Sequence, residues 1–145
     1  PLEQTTWAYR KEKIRQQMVP VDLLTLQECN AETIVQDLDF LQPEYAILCH
    51  RRARIAMATC WRIERFELVA DYHLNRCLIT VLKDRGGLFV CLVNCHLSAG
   101  RQPKERFQQI VKAMDQVRKL RNRFSLDLII FSGDFTATSS IFIPP

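Results

Sequence analysis

The chain has 145 residues, of which 48% are hydrophobic and 25% charged, with a formal net charge of +4. This is the composition of one globular domain of ordinary size, large enough to bury a core without disulfide or metal staples. The longest uninterrupted apolar run, Leu88–Val93, excludes a helical membrane span, which needs ~20 residues, and Pro1-Leu2-Glu3-Gln4 lacks the basic start and apolar block of a signal peptide.

Thr5–Met18 reads as a helix with Trp7, Ile14 and Met18 on one face, and Arg10 turned to the same face implies a buried partner. Pro20 ends it, and Val21–Leu26 is a buried strand. Asn30 suits the N-cap of a second helix striped by Ala31, Ile34, Val35, Leu38 and Leu41, closed by Pro43. Five strands follow: Tyr45–Cys49, Ile55–Trp61, Ile63–Ala70, Cys77–Leu82 and Leu88–Cys95, the last two joined by the turn Asp84-Arg85-Gly86-Gly87. Those two strands are apolar on successive residues, so both their faces should be covered. The longest helix runs from Gln102 to Phe124, striped by Phe107, Ile110, Val111, Met114, Val117 and Leu120, and Asp127–Ser132 is the last strand. Trp7 and Trp61 both stand in apolar patterns and are expected to anchor the core. This order predicts an α/β layered domain with mixed sheets and outer helices over residues 1–145. There is no glycine-rich nucleotide loop.

The six cysteines form no C-x-x-C pair and mostly lie within apolar runs, which predicts reduced thiols in an intracellular compartment. Arg101–Arg123 holds eight basic and two acidic residues. The rest of the chain is therefore slightly acidic, and this segment, including Lys104 and Arg106, is a candidate phosphate-backbone footprint or else a solvated helix face. His50-Arg51-Arg52-Ala53-Arg54 is a second basic cluster, expected on a loop, where Arg51, Arg52 and Arg54 are candidates to face RNA.

Three apolar stretches run straight into polar residues: Val21–Leu26 into Gln27-Glu28, Leu88–Cys95 into His96, and Leu128–Phe131 into Ser132-Gly133-Asp134. If these are strands of one sheet system, a glutamate, a histidine and an aspartate gather at their ends. Two carboxylates suit a hard divalent cation, which takes oxygen ligands. A neighbouring imidazole suits the charged oxygens of a phosphate ester.

Four segments resemble the endonuclease/exonuclease/phosphatase superfamily, its deadenylase, nocturnin and Angel branches in particular. Trp7-Ala-Tyr-Arg10 through Ile14 is similar to its W-x-x-R…I helix, and Leu24-Thr25-Leu26-Gln27-Glu28 to its L-Q-E strand. Arg76 with Cys77–Val81, then Val93-Asn94-Cys95-His96-Leu97, is similar to its R-x-L…N-T-H-L strands. Ser132-Gly133-Asp134-Phe135 is similar to its G-D-F-N strand end. The resemblance implies a four-layer α/β sandwich and Mg²⁺- or Mn²⁺-dependent cleavage of a phosphodiester or phosphomonoester, with RNA favoured. It implies that Glu28 binds the metal with Gln27 in support. His96 would meet the scissile phosphate, and Asp134 would orient or activate water, with Thr136 where the family has an amide. It also implies that the chain holds about half of the usual sandwich, lacking the Asn-bearing first strand and the later S-D-H motif. Open sheet edges would then invite a protein partner. The chain is accordingly read as part of a metal-dependent nuclease, or as an inactive relative that serves as a structural or RNA-binding module of a larger assembly.

Overall fold

The computed structural model of the chain describes residues 6–18, 20–52, 55–100 and 102–135, with the backbone alone at 51 and 52. Thr136 and Arg54 lie outside these residues. The elements are α1 (Trp7–Met18), β1 (Leu23–Asn30), α2 (Ile34–Asp37), a 3₁₀ turn (Asp39–Leu41), β2 (Tyr45–Arg52), β3 (Ile55–Arg62), β4 (Phe66–His73), β5 (Cys77–Asp84), β6 (Phe89–His96), α3 (Pro103–Phe124) and β7 (Leu128–Asp134). The expected class, α/β with two sheets and helices, is the one observed, and the contacts divide the chain into two compact units, Pro1–Glu67 and Leu68–Pro145.

In the first unit the sheet order is β1-β3-β2, with both ladders antiparallel. Ala31, Ile34, Leu38, Leu41 and Tyr45 pack on Ala56, Ala58 and Cys60 of its central strand. The second helix is much shorter than its apolar stripe predicts. Asn30 Oδ1 accepts from Glu32 N–H at 2.9 Å, a local Asx turn that competes with helix initiation, so helical backbone starts only at Ile34 and gives way to the 3₁₀ turn. The first helix also departs from expectation. No residue of α1 is buried, and Trp7 is 40% exposed, so of the two tryptophans only Trp61 anchors a core. Arg10 is exposed and stacks over the Trp7 ring at 5.6 Å, where a buried partner was expected. Arg62 is instead half-buried; it lies 4.8 Å from the Tyr45 ring centroid, donates to Glu44 at 2.7 Å and reaches Asp22 at 3.5 Å. β2 runs through Arg52, pairing Arg51 with Ala56 and Arg52 with Ile55. This part of the basic cluster is therefore strand, where a loop was expected.

In the second unit the order is β4-β5-β6-β7, with β5–β6 antiparallel and β6–β7 parallel. α3 is the crossover that a parallel pair requires. It opens on Pro103, whose missing N–H costs nothing in the first turn, and closes through Ser125 in the left-handed region, whose N–H donates to Arg121 O at 3.1 Å. One face of β5 and β6 (Cys77, Ile79, Val81, Cys91, Val93, Cys95) packs on Ala113, Val117 and Leu120. Leu78, Leu82 and Leu92 of the opposite face are buried too, as the unbroken apolar runs imply. The buried stripe of α3 is rotated from the predicted one: Gln109, Ala113, Val117 and Leu120 are inside, whereas Phe107 is 70% exposed and Val111 and Met114 lie outside. The small Ala113 and a hydrogen-bonded Gln109 permit close approach to the sheet, where a bulkier stripe would hold the helix off.

Burial pushes the Cys60 thiol from 9.0 up to about 12. Its neutral form is favoured by folding, so this contribution is fully present below pH 9 and is lost as pH rises towards 12. Urea titrations across that window should show stability falling more steeply in the native chain than in Cys60→Ala.

Candidate functional site

His96 closes β6 and Asp134 closes β7, and the two are direct register partners in the parallel ladder. His96 is 8% exposed while Asp134 is exposed. The backbone is fixed on both sides of the pair. His96 N–H donates to Arg76 O at 2.9 Å, and Leu97 N–H to Asp134 O at 3.0 Å. At the far end of the ladder Asp127 Oδ2 accepts from Phe89 N–H at 2.7 Å, and Asp127 N–H returns a bond to Phe89 O at 2.9 Å.

Gly133 is what allows this alignment. Its φ is +129°, and a Cβ there would stand 2.0 Å from the Cys95 carbonyl oxygen and 2.9 Å from the Cys95 carbon and nitrogen. Backbone cannot step aside as a side chain can, so any other residue forces β7 away from β6 and takes Asp134 out of line with His96.

A polar network fixes the loop after His96. The side chain of Gln109, buried on α3, accepts from Ser98 N–H at 3.0 Å and donates to Ser98 Oγ at 2.6 Å and Glu105 Oε1 at 3.1 Å. Ser98 Oγ donates to Glu105 Oε1 at 2.9 Å. Arg106 donates to the carbonyls of Ser98 at 3.2 Å and Gly100 at 2.6 Å, so its guanidinium is engaged with this loop, while Lys104 in the first turn is exposed. Sequence reading passed over Ser98, Gln109 and the steric role of Gly133. A glycine inside an apolar strand was the one available signal, since it marks close backbone approach.

Gln27 and Glu28 belong to the first unit. The β1–β3 register shifts between Leu26 and Cys29, placing the two in a β-bulge, and Glu28 takes a left-handed φ of 55°. A bulge re-aims a side chain, and a non-glycine residue in this region carries a backbone cost that concentrates at functional positions. Gln27 is half-buried and Glu28 exposed. Both line a cleft of about 520 Å³ with Trp7, Arg10, Met18, Asn30 and Asp37. The donors offered there are mostly oxygens, the chemistry a hard cation takes, and Mg²⁺ commonly uses one or two carboxylates and keeps several waters. Among the described residues no three acid, imidazole or thiol side chains gather to form an all-protein cage. Arg51 and Arg52 end β2.

No family model and no curated protein matches the sequence. Solved structures do. Truncated Caenorhabditis elegans TDP2 is 25% identical with a TM-score of 0.73, covering 90% of this chain and 56% of its own. ANGEL2, described as a 2′,3′-cyclic phosphatase, is 18% identical with a TM-score of 0.76, covering 93% and 45%. The D. rerio TDP2 complex with a single-strand DNA product is 19% identical with a TM-score of 0.76, covering 95% and 58%. The chain thus spans about half the length of the structures it matches. Its fold is that of the endonuclease/exonuclease/phosphatase superfamily, the class its four sequence segments resemble, and it carries part of that fold.

Two pairs of substitutions test these backbone assignments by chemical denaturation. Gly133→Ala should cost more than about 3 kcal/mol, the upper range of ordinary overpacking. Gly87→Ala, also at positive φ (+93°) but with nothing within 4 Å, should cost only about 1–2 kcal/mol. Glu28→Gly should be more stable than Glu28→Ala by about 1–2 kcal/mol, because glycine alone escapes the left-handed penalty.

Proposed function

We propose that the chain is the part of a divalent-metal-dependent phosphoesterase, acting on nucleic acid with RNA favoured, that supplies a metal-binding glutamate and a histidine–aspartate pair. The observation that carries this reading is the alignment of His96 with Asp134 at the ends of adjacent parallel strands, with Gly133 in contact with the Cys95 backbone. Groups held on strand ends are positioned more tightly than groups on loops.

Glu28 would hold Mg²⁺ or Mn²⁺ through its carboxylate, with Gln27 steadying that side chain. When bound there, the ion supplies Lewis-acid polarisation of a phosphoryl oxygen. His96 donates a hydrogen bond to a phosphate oxygen from a strand end that excludes most water, where such a bond is strong. Asp134, exposed beside it, accepts a proton from the attacking water, and Thr136 would contribute a hydroxyl to the substrate. Lys104, Arg106, Arg51, Arg52 and Arg54 would contact the backbone of a nucleic acid, Arg106 while also bracing the loop after His96. RNA is favoured because the W-x-x-R and L-Q-E segments resemble the deadenylase branch, and ANGEL2, of similar fold, is a 2′,3′-cyclic phosphatase.

A second reading is a catalytically inactive relative that binds RNA as a module. It rests on the eight basic residues of Arg101–Arg123 and on Arg51 and Arg52, which would face phosphate whether or not the chain cleaves it.

Cleavage of 3′- and 5′-labelled RNA and DNA in Mg²⁺, Mn²⁺ and EDTA decides between them. The first reading expects cleavage that EDTA abolishes. It also expects His96→Ala and Asp134→Asn to lower the rate between about 10²- and 10⁴-fold, and Glu28→Gln to raise the metal concentration required. RNA retained on a filter without cleavage in any metal would count for the second.

A further inference from the structure

Cys77 and Cys95 face each other across the β5–β6 ladder as register partners, with their sulfur atoms 3.4 Å apart. The hydrogen bond from His96 N–H to Arg76 O shows that Cys77 and Cys95 form a non-hydrogen-bonded pair, flanked by the bonded pair Arg76 and His96. In such pairs the Cα atoms stand about 4.5 Å apart and the side chains are closest, which lies within the roughly 4.4–6.8 Å that a disulfide spans. Both residues are buried, at 1% and 0% exposure. The other four cysteines lack this relation in the ladders: Cys91 is paired with Val81, Cys29 with Ala56, Cys49 with Ala58 and Cys60 with Ile47.

We propose that Cys77 and Cys95 are an oxidisable pair, which a two-electron oxidant of the peroxide class converts into a cross-strand disulfide in the folded protein. The Cys77 sulfur, having given up its proton, attacks one peroxide oxygen and the O–O bond breaks. Cys77 becomes a sulfenic acid and the other oxygen leaves as water. The Cys95 sulfur then displaces the hydroxyl from Cys77, the S–S bond forms, and a second water carries away the Cys95 proton. Two electrons pass from the sulfurs to the peroxide, and two thiols with one peroxide yield one disulfide and two waters. The hydrogen bond between the thiols supports this order of attack, since it lowers the pKa of Cys77 and raises that of Cys95. Burial makes the reaction slow, because peroxide enters only when the end of the ladder opens. The product ties β5 to β6 at the residue before His96, and the inference does not depend on whether the chain is catalytic.

The test is hydrogen peroxide treatment of the native chain, followed by alkylation of the remaining thiols under denaturing conditions and peptide mapping without reductant. The expected result is a peptide pair joined through Cys77 and Cys95. Its mass should be lower by two hydrogen atoms, it should form slowly and be restored by dithiothreitol, and Cys91 should still be alkylated. Cys77→Ala should yield no crosslink at Cys95 if the pairing is specific. Recovery of both thiols alkylated after Cys29 and Cys49 have been oxidised would overturn the proposal. So would a Cys77–Cys95 crosslink that forms in urea and not in the folded protein, because the native register would then play no part.

Discussion

The contact of Gly133 with the Cys95 backbone is the constraint on which the alignment of the second unit's strand ends depends. A parallel strand pair sets its register over its whole length, and every residue of β7 from Leu128 to Asp134 is matched to one of β6. The lower end of that ladder is closed by Asp127 bonding Phe89 through both its backbone and its carboxylate. The upper end closes only because position 133 has no side chain. With both ends fixed, backbone hydrogen bonds hold His96 and Asp134 in register at the ends of adjacent strands. The network of Ser98, Glu105, Gln109 and Arg106 then holds the chain where it leaves the sheet.

Much of this could be read from the residues because burial on both faces writes itself as an unbroken apolar run. Cys77–Leu82 and Leu88–Cys95 were recognisable as covered strands for that reason, and His96, the polar residue ending the second run, marked one member of the candidate site. The extent of α3 was legible from the long apolar stripe between Gln102 and Phe124. Which of its faces is buried was not. Phe107, Val111 and Met114 are more hydrophobic than Gln109 and Ala113, yet the helix turns the latter inward, because close packing on a sheet favours a small residue and a polar one whose hydrogen bonds are met. Hydrophobicity alone cannot encode that preference.

The bulge at Gln27-Glu28 was hidden for a different reason. Periodicity identifies a strand but carries no information on where one strand slips against its neighbour, since slippage is settled by both strands together. The same holds for Arg62. Its sequence neighbours mark it as an ordinary charge at a strand end, and only the fold brings Tyr45, Glu44 and Asp22 around it. Arg10, singled out by helical phase, is solvated because α1 has too few apolar side chains to bury a face.

The way α1 is attached has a consequence for the behaviour of the first unit. None of its residues is buried. Its links to the rest of that unit include the Lys11–Asp39 ion pair at 2.6 Å, a bond from Lys11 to Gln36 O at 3.0 Å and the partial burial of Met18. Charge attraction at an exposed site fades as ions screen it, whereas burial of apolar surface, which holds Ile34, Leu41 and Cys60, is strengthened by salting-out anions. Sulfate therefore acts on the two in opposite senses. It loosens the helix while tightening the sheet beneath it, so the backbone amides of α1 would exchange with solvent at a rate set by ionic strength and decoupled from the stability of the core.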